Sequence, residues 1–265
     1  AKILNPQKRV LMPRIACCAM ARMIDEGYFL ENLKKMNEAG ISNDDILPIT
    51  YINSSASVKA RVGEMGGMVC TSSNAYKIIE KGLKSGKKIF FVPDRCLGQN
   101  FAKSLGLKSA VIGDGTNLKD ADIICYNGFC SVHQQFNIDD IDFYREKYPD
   151  IIVAVHPECD PSVCDKADFV GSTSQLIKFI KELPEEQKVA VGTEFNMVNR
   201  LREKNTYILS STKPECPTMN ETTLEHVYLT LKSIKENKIS ELSEIKVDEK
   251  TRYWAKIALE RMFEI

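Results

Sequence analysis

The feature that most constrains the fold of this chain is an internal repeat of strand-like and helix-like segments. Four pairs of segments match in order and in the placement of apolar residues: ITYIN (49–53) with VAVHPE (153–158), MVCTSSNAYKIIEKGL (68–83) with DFVGSTSQLIKFIKEL (168–183), KKIFFVPD (87–94) with QKVAVGTE (187–194), and ADIICYNGFC (121–130) with NTYILSSTKPEC (205–216). Alternating strand and helix patterns are typical of a parallel sheet covered by helices. A repeat of about 100 residues is too long for a solenoid unit and indicates duplicated domains.

The repeat predicts an α/β protein built from similar three-layer α/β domains with short parallel sheets. We predict the C-terminal part of a first domain with a connecting helix at 1–45, a second domain at 46–148, a third domain at 149–220, and C-terminal helices that pack back on the first domain at 221–265. The N-terminus looks like a helix end followed by a turn, one strand and a cysteine loop. We therefore expect further residues upstream of Ala1 that complete the first domain.

Three cysteines, Cys18, Cys130 and Cys216, share one local setting. Each follows a short apolar run and precedes a helix-like stretch. Because ligands bind at the carboxyl ends of strands in parallel α/β folds, thiols from three such ends can converge on one point. Three thiolates there are typical of an iron–sulfur cluster in which one iron lacks a protein ligand. Cys17 leaves open which of two neighbours is the first ligand, and Cys18 is preferred because its place before the helix matches the other two.

The other cysteines favour different interpretations. The chain has nine cysteines, an odd number that does not fit a disulfide framework and instead fits a reducing cytoplasm. Apolar surroundings predict that Cys70, Cys96 and Cys125 are core thiols. Cys159 and Cys164 have the spacing of half a zinc site, but no second pair matches it, which argues against zinc. Whether these two form a regulatory disulfide stays open at this stage.

Polar residues follow strands at equivalent places in the two repeats. Tyr51 and Asn53 end one predicted strand, and His156 and Glu158 hold the same places in the second repeat. His-Pro-Glu at the end of a buried strand offers an acid–base pair. His133 lies one helical turn beyond Cys130, so its side chain can face the same space. The alternative for each histidine, a purely structural role, is the commoner one for a lone histidine.

Hydroxyl residues begin the helices that follow the next strand in each repeat. Ser72 lies in the sequence Thr-Ser-Ser and Thr173 in the sequence Gly-Ser-Thr. A helix N-terminus with free N–H groups and hydroxyls suits a phosphate or carboxylate. The alternative is that Ser72 and Ser172 are plain helix caps, and the same alternative applies to Asp94 and Glu194.

Charge and hydropathy argue against some classes of partner. The 36 basic residues balance the 36 acidic ones, so the formal net charge is zero. That balance argues against nucleic acid or an anionic membrane as the main partner. No apolar run reaches the roughly 20 residues of a membrane-spanning helix.

Taken in order along the chain, these motifs resemble the quinolinate synthase family. The resemblance covers nearly the whole chain and is carried by YINSSASVKA, VCTSSNA, VPDRCLG, GFCSVHQQF, VAVHPEC, DKADFVGSTSQ, VGTEFNMVNRL and ECPTMNETTLEHV. It implies three similar α/β domains around a pseudo-threefold axis, with the first one incomplete here. It also implies a central 4Fe–4S cluster held by Cys18, Cys130 and Cys216. In this chain the first cysteine loop reads PRIACC, with Arg14 where the family usually has Asp.

The resemblance further implies an enzyme that condenses iminoaspartate with dihydroxyacetone phosphate to quinolinate, a precursor of NAD. It places this reaction in the cytoplasm and admits channelling of iminoaspartate from an aspartate-oxidising enzyme. The implied roles are substrate contact by Tyr51 and Asn53, anion binding by Ser72 and Thr173, and proton transfer by Glu158 as general base with His156, His133 and Tyr51. Two other hypotheses stay open: a non-catalytic or redox-sensing cluster protein on this scaffold, and an α/β binding module without metal.

Overall fold

The computed structural model describes residues 1–201, 204–239 and 244–264, and its strands form two all-parallel sheets. The first sheet contains β1 (Ile46–Tyr51), β2 (Met68–Cys70), β3 (Lys88–Val92), β4 (Ser109–Val111) and β5 (Ile123–Cys125). The second contains β6 (Ile152–Val155), β7 (Phe169–Val170), β8 (Val189–Gly192) and β9 (Thr206–Ile208). The predicted α/β class with short parallel sheets is confirmed.

Helices connect the strands and extend the chain at both ends. They are α1 (Glu26–Glu38), α2 (Ala56–Glu64), α3 (Ala75–Leu83), α4 (Arg95–Ser104), α5 (Ile138–Lys147), α6 (Pro161–Lys166), α7 (Thr173–Glu182), α8 (Phe195–Asn199), α9 (Pro217–Asn220), α10 (Leu224–Lys235) and α11 (Glu249–Phe263). Within the described ranges, none of them combines the length and the apolarity that a membrane crossing requires.

The two sheets share one strand order, which confirms the repeat seen in the sequence. The first sheet has the order β2-β1-β3-β5-β4 and the second has β7-β6-β8-β9. The first four strands of each order therefore correspond one to one. Strand β4 has no counterpart, and sequence comparison did not predict it because it lies in an insertion between α4 and β5. This insertion explains why Cys130 and Cys216 are closer in sequence than Ser72 and Ser172.

The first sheet is buried on both faces, which explains its nearly continuous apolar strands. All six residues of β1 are buried. On β3, Phe91 packs in a core with residues of α3 and α4, while its neighbours Phe90 and Val92 pack in a second core with residues of α1, α2 and α11. Successive side chains of a strand point to opposite faces, so the alternation makes this sheet the middle of three layers.

The C-terminal segment returns to two parts of the chain. Helix α11 packs against α2 and β2, and the Ile245 N–H donates to the Val10 carbonyl over 2.8 Å. Gly63 marks the closest approach of α2 to α11, since a Cβ there would lie 2.1 Å from the Trp254 carbonyl oxygen. The division of the chain into domains, including the packing of the tail on the first domain, stays a prediction.

Replacement of Gly63 by alanine is expected to lower the free energy of unfolding by about 3 kcal/mol, because backbone atoms of α11 cannot yield as a side chain can. Gly27→Ala is the matched control, since a Cβ there meets only the Asp25 carboxylate, at 3.3 Å. The control should change stability by less than about 1 kcal/mol. Urea unfolding of both variants measures the difference, and equal losses would contradict the packing of α11 on α2.

Candidate active site

A cavity of about 580 Å³ lies where the carboxyl ends of both sheets meet the N-terminal cysteine loop. Nine of the ten site residues predicted from sequence line it: Cys18, Tyr51, Asn53, Cys130, His133, His156, Glu158, Thr173 and Cys216. Ser72 does not line the cavity, but its hydroxyl lies beside that of Tyr51. Parallel strands bring their carboxyl ends to one edge of a sheet, which is why residues far apart in sequence meet here.

The three cysteines reach the cavity from three separate loops. Cys18 comes from the N-terminal loop, Cys130 follows β5 and Cys216 follows β9. Burial raises the pKa of the Cys18 thiol, and the charges of Glu158 and Cys216 act in the same direction. Burial also raises the pKa of Cys130. Cys17 lines the cavity too, but it is exposed whereas Cys18 is half-buried.

The cysteines outside the predicted cluster site are free thiols, and most of them are buried. Cys70, Cys96 and Cys125 are fully buried, as predicted for core residues. All nine cysteines lie in the described part of the chain and are free thiols. Cys159 is buried and the Cys164 thiol lies 3.7 Å from its carbonyl oxygen.

A buried carboxylate–histidine pair, Glu158 and His133, lines the cavity. His133 Nδ1 lies 3.0 Å from Glu158 Oε2, and both side chains are more than nine-tenths buried. Among the described residues, His133 Nδ1 has no hydrogen-bond partner, so its contact with Glu158 lacks the geometry of a hydrogen bond. Burial opposes ionisation of Glu158, but the contact with His133 outweighs it and lowers the pKa of Glu158 to about 2. Glu158 is therefore a carboxylate at neutral pH.

His156 is neutral and its tautomer follows from its contacts. Its Nδ1 accepts a hydrogen bond from the Glu158 backbone N–H over 3.2 Å, so the proton of the neutral ring is on Nε2. Burial lowers the pKa of His156 to about 4, against the opposing charge of Glu158. The ring stacks on that of His133 with centroids 4.7 Å apart. His156 thus offers a neutral N–H donor beside the Glu158 carboxylate.

The depressed pKa of His156 predicts a specific loss of stability in acid. The unfolded chain titrates near 6.5, so below that pH it binds a proton that the folded protein excludes until about pH 4. Relative to His156→Asn, which keeps an acceptor for the Glu158 N–H, the wild type should lose on the order of 1–3 kcal/mol between these pH values. Urea unfolding across this range measures the gap. Parallel stability curves for the two proteins would contradict the prediction.

The side of the cavity formed by α7 has the features of an anion site. Thr173 is the first residue of α7, and Ser172 caps the helix by accepting from the Gln175 N–H. The Ser172 hydroxyl also accepts a hydrogen bond from Ser73 over 3.1 Å, which joins equivalent loops of the two repeats. The capping role considered for the serine of this turn is thus present. It leaves Thr173, which lines the cavity, at a helix N-terminus that favours negative charge.

Tyr51 lines the cavity as a neutral phenol. Burial raises its pKa, and the charge of Glu158 acts in the same direction. The Ser72 hydroxyl and the Glu158 carboxylate both lie beside its hydroxyl. Tyr51 can therefore donate a proton or a hydrogen bond. The Ser72 hydroxyl lies next to the Tyr51 hydroxyl but does not itself line the cavity.

Comparison with known proteins identifies the family. The family model described as "Quinolinate synthetase A protein" matches residues 1–264. The chain belongs to the quinolinate synthase family. A quinolinate synthase of Helicobacter pylori (strain HPAG1) is 53% identical over 270 residues, which cover all of this chain and 79% of the relative. Those of Acidobacterium capsulatum and Streptomyces coelicolor are 38% and 39% identical, and the matches cover 74% and 69% of their lengths.

Thr193 and Glu194 line this quinolinate synthase site but were not among the site residues predicted from sequence. Thr193 Oγ1 lies 3.2 Å from His133 Nε2, and Glu194 lines the cavity next to it. Both follow β8 at the same edge of the sheet as the other site residues. Their position after a strand was the one sequence feature that could have indicated a place in the site. Asp94 and Glu194 do cap α4 and α8, which was one of their two interpretations.

One subset of the site has the donor set of a metal centre. Ligand atoms of Cys130, His133 and Glu158 all lie within 4.8 Å of one another. Thiolate, imidazole and carboxylate together suit a transition metal. The described residues therefore contain one group of ligand atoms close enough together to hold a metal ion, in a cavity that Cys18 and Cys216 also line.

Proposed function

We propose that this protein is a quinolinate synthase that condenses iminoaspartate with dihydroxyacetone phosphate in NAD biosynthesis. We further propose that it binds a 4Fe–4S cluster through Cys18, Cys130 and Cys216. The observation that carries the proposal is that these three thiols share one cavity with Glu158 and a histidine pair, in a chain that belongs to this family.

The donor set fits such a cluster. Three thiols from three loops enter one cavity, and three thiolate ligands leave one iron of a cubane cluster without a protein ligand. Burial keeps the free thiols of Cys18 and Cys130 protonated at neutral pH, so metal binding must displace their protons. When bound, the cluster supplies a Lewis acid that polarises substrate oxygen or nitrogen.

The remaining residues match the needs of the two substrates. Both substrates carry anionic groups, and the reaction expels phosphate and water. The N-terminus of α7 at Thr173 and the side chain of Asn53 are suited to hold a phosphate or carboxylate. Both residues are exposed, so they are accessible to a substrate that enters the cavity.

The buried polar side chains that line the cavity are suited to proton transfer. Glu158 is ionised and can accept a proton from substrate carbon or nitrogen. His133, whose Nδ1 lies 3.0 Å from the carboxylate, is its proton-transfer partner. His156 presents a neutral Nε2–H, and Tyr51 presents a phenol O–H, so both can donate to oxygen leaving as water. The site thus places one base and two donors around the same space.

Two finer proposals concern supply and location. An imine hydrolyses in water, so we propose that iminoaspartate reaches this site by channelling from an aspartate-oxidising enzyme. Nine free thiols, several of them at the site, are consistent with a reducing compartment, and we propose the cytoplasm.

Anaerobic reconstitution with iron and sulfide, followed by a product assay, tests the proposal. We expect about four irons per chain, as a 4Fe–4S cluster requires, and formation of quinolinate from the two substrates. Cluster formation without quinolinate would favour a non-catalytic or redox-sensing protein on this scaffold. A colourless preparation without iron would overturn the cluster assignment.

A further inference from the structure

The two cysteine loops that follow β5 and β9 are held by the same arrangement of atoms. We propose that Asp94 and Glu194 are positioning residues that fix the backbone of Cys130 and Cys216 for metal binding. The inference rests on the proposed cluster for its purpose, but its geometry belongs to the chain alone.

Each acid begins a helix directly after the third strand of its repeat. Asp94 Oδ1 accepts a hydrogen bond from the Leu97 N–H over 2.7 Å, and Glu194 Oε2 accepts one from the Met197 N–H over 3.2 Å. Both side chains are buried, Asp94 completely and Glu194 to 9% exposure. One oxygen of each carboxyl group is thereby used as a helix cap.

The residue after each acid binds the cysteine loop through its backbone. The Arg95 N–H donates to the Gly128 carbonyl over 2.8 Å, and the Phe195 N–H donates to the Pro214 carbonyl over 3.0 Å. Each carbonyl belongs to the residue two places before the cysteine of its repeat. The same backbone register therefore recurs in loops of different sequence and length.

Each acid also lies beside the amide of the cysteine itself. Glu194 Oε1 accepts from the Cys216 N–H over 3.4 Å and from the Asn196 amide over 2.9 Å. The Cys130 amide lies beside the Asp94 carboxyl, whose Oδ2 is buried and has no aligned hydrogen bond among the described residues. In both repeats the acid caps a helix and lies beside the cysteine amide, and in the second repeat that contact is a hydrogen bond.

A helix cap alone does not explain an acid at these two places. Serine caps α7 equally well, and it would put no charge near thiolate ligands, which repel a carboxylate. A carboxylate has two oxygens, one to cap the helix and one to accept from the cysteine amide, whereas a serine or a carboxamide has only one. The electrostatic cost of the acid is therefore consistent with a second task, which is to orient the cysteine.

Asp94→Asn and Glu194→Gln test the inference in the iron-free chain. Each variant keeps one oxygen for the helix cap and removes an acceptor from the cysteine side. Iodoacetamide labelling followed by mass spectrometry gives the modification rate of each cysteine. We expect Asp94→Asn to label Cys130 about fivefold faster with Cys216 unchanged, because it replaces a carboxyl oxygen beside the Cys130 amide. Glu194→Gln should show the reverse, because it removes the acceptor of the Cys216 N–H.

Asp248→Asn is the matched control, since Asp248 caps α11 by accepting from the Thr251 N–H and does not line the cavity. It should change neither rate. If Asp94→Asn does not fold, Asp94→Ser keeps a cap and removes the second oxygen. Unchanged rates, or equal acceleration of both cysteines in each variant, would overturn the inference and leave the acids as helix caps only.

The outcome is separable from that of the proposed function. A wild type that binds no iron would remove the cluster assignment, while the crossed labelling pattern would still support the positioning role. A loaded wild type with uncrossed labelling would do the opposite. As a second measurement, iron loss to a chelator should be about fivefold faster in both loaded variants than in Asp248→Asn.

Discussion

Cys18→Ser is expected to abolish stable cluster binding and to lower quinolinate formation by more than about 100-fold. Serine replaces a soft thiolate, which iron–sulfur clusters require, with a hydroxyl that stays protonated at neutral pH. Cys18 is the half-buried member of its pair and faces Glu158 and Cys216 across the cavity. Iron and sulfide per chain after anaerobic reconstitution, together with the product assay, measure both losses.

Cys17→Ser is the matched control for this experiment. Its thiol is exposed, and adjacent residues rarely point at one metal, so we expect iron content and activity within about twofold of the wild type. Circular dichroism should show that both variants fold. The reverse pattern, loss in Cys17→Ser and retention in Cys18→Ser, would move the first ligand to Cys17.

Glu158→Gln is expected to lower kcat/KM by about 10²- to 10⁴-fold while leaving the cluster content unchanged, because it removes the base and keeps the shape of the side chain. The carboxylate is buried, ionised and 3.0 Å from His133, and the carboxamide that replaces it cannot accept a proton at neutral pH. Steady-state kinetics of the reconstituted enzyme measure the loss.

Glu186→Gln, at an exposed position on the far connection between α7 and β8, is the control and should retain full activity. Iron analysis of both variants separates a chemical defect from a loading defect. Full turnover in Glu158→Gln with a loaded cluster would remove the assignment of Glu158 as general base. A loss of iron in that variant would instead give the residue a role in the metal centre.

Much of the site was predictable because its residues occupy equivalent positions in a repeat. Tyr51 and His156, like Cys130 and Cys216, follow corresponding strands, and parallel strands place such positions at one edge. Thr193 was not predicted, because its only visible signal was a polar residue after a strand, which is common. Its contact with His133 joins loops of the two different sheets, and no local pattern encodes how two sheets meet.

The contact of Asp94 and Glu194 with the cysteine loops could not be predicted from the sequence either. Each acid could be interpreted as a cap from its position before a helix, and the structure bears that out. The use of the second carboxyl oxygen depends on the approach of a loop from a strand later in the chain. That approach is set by strand pairing and by the insertion that carries β4, neither of which leaves a periodic signal.

By itself the sequence determined the α/β class, the paired order of strands and helices, and the family, because apolar periodicity and ordered motifs encode these locally. Only the tertiary structure decided which side chains share the cavity, that Ser72 lies behind Tyr51, and that Glu158 is ionised while His156 is neutral. Those properties follow from burial and from distances of a few ångströms between distant segments. Such distances exist only once both sheets and the N-terminal loop have packed together.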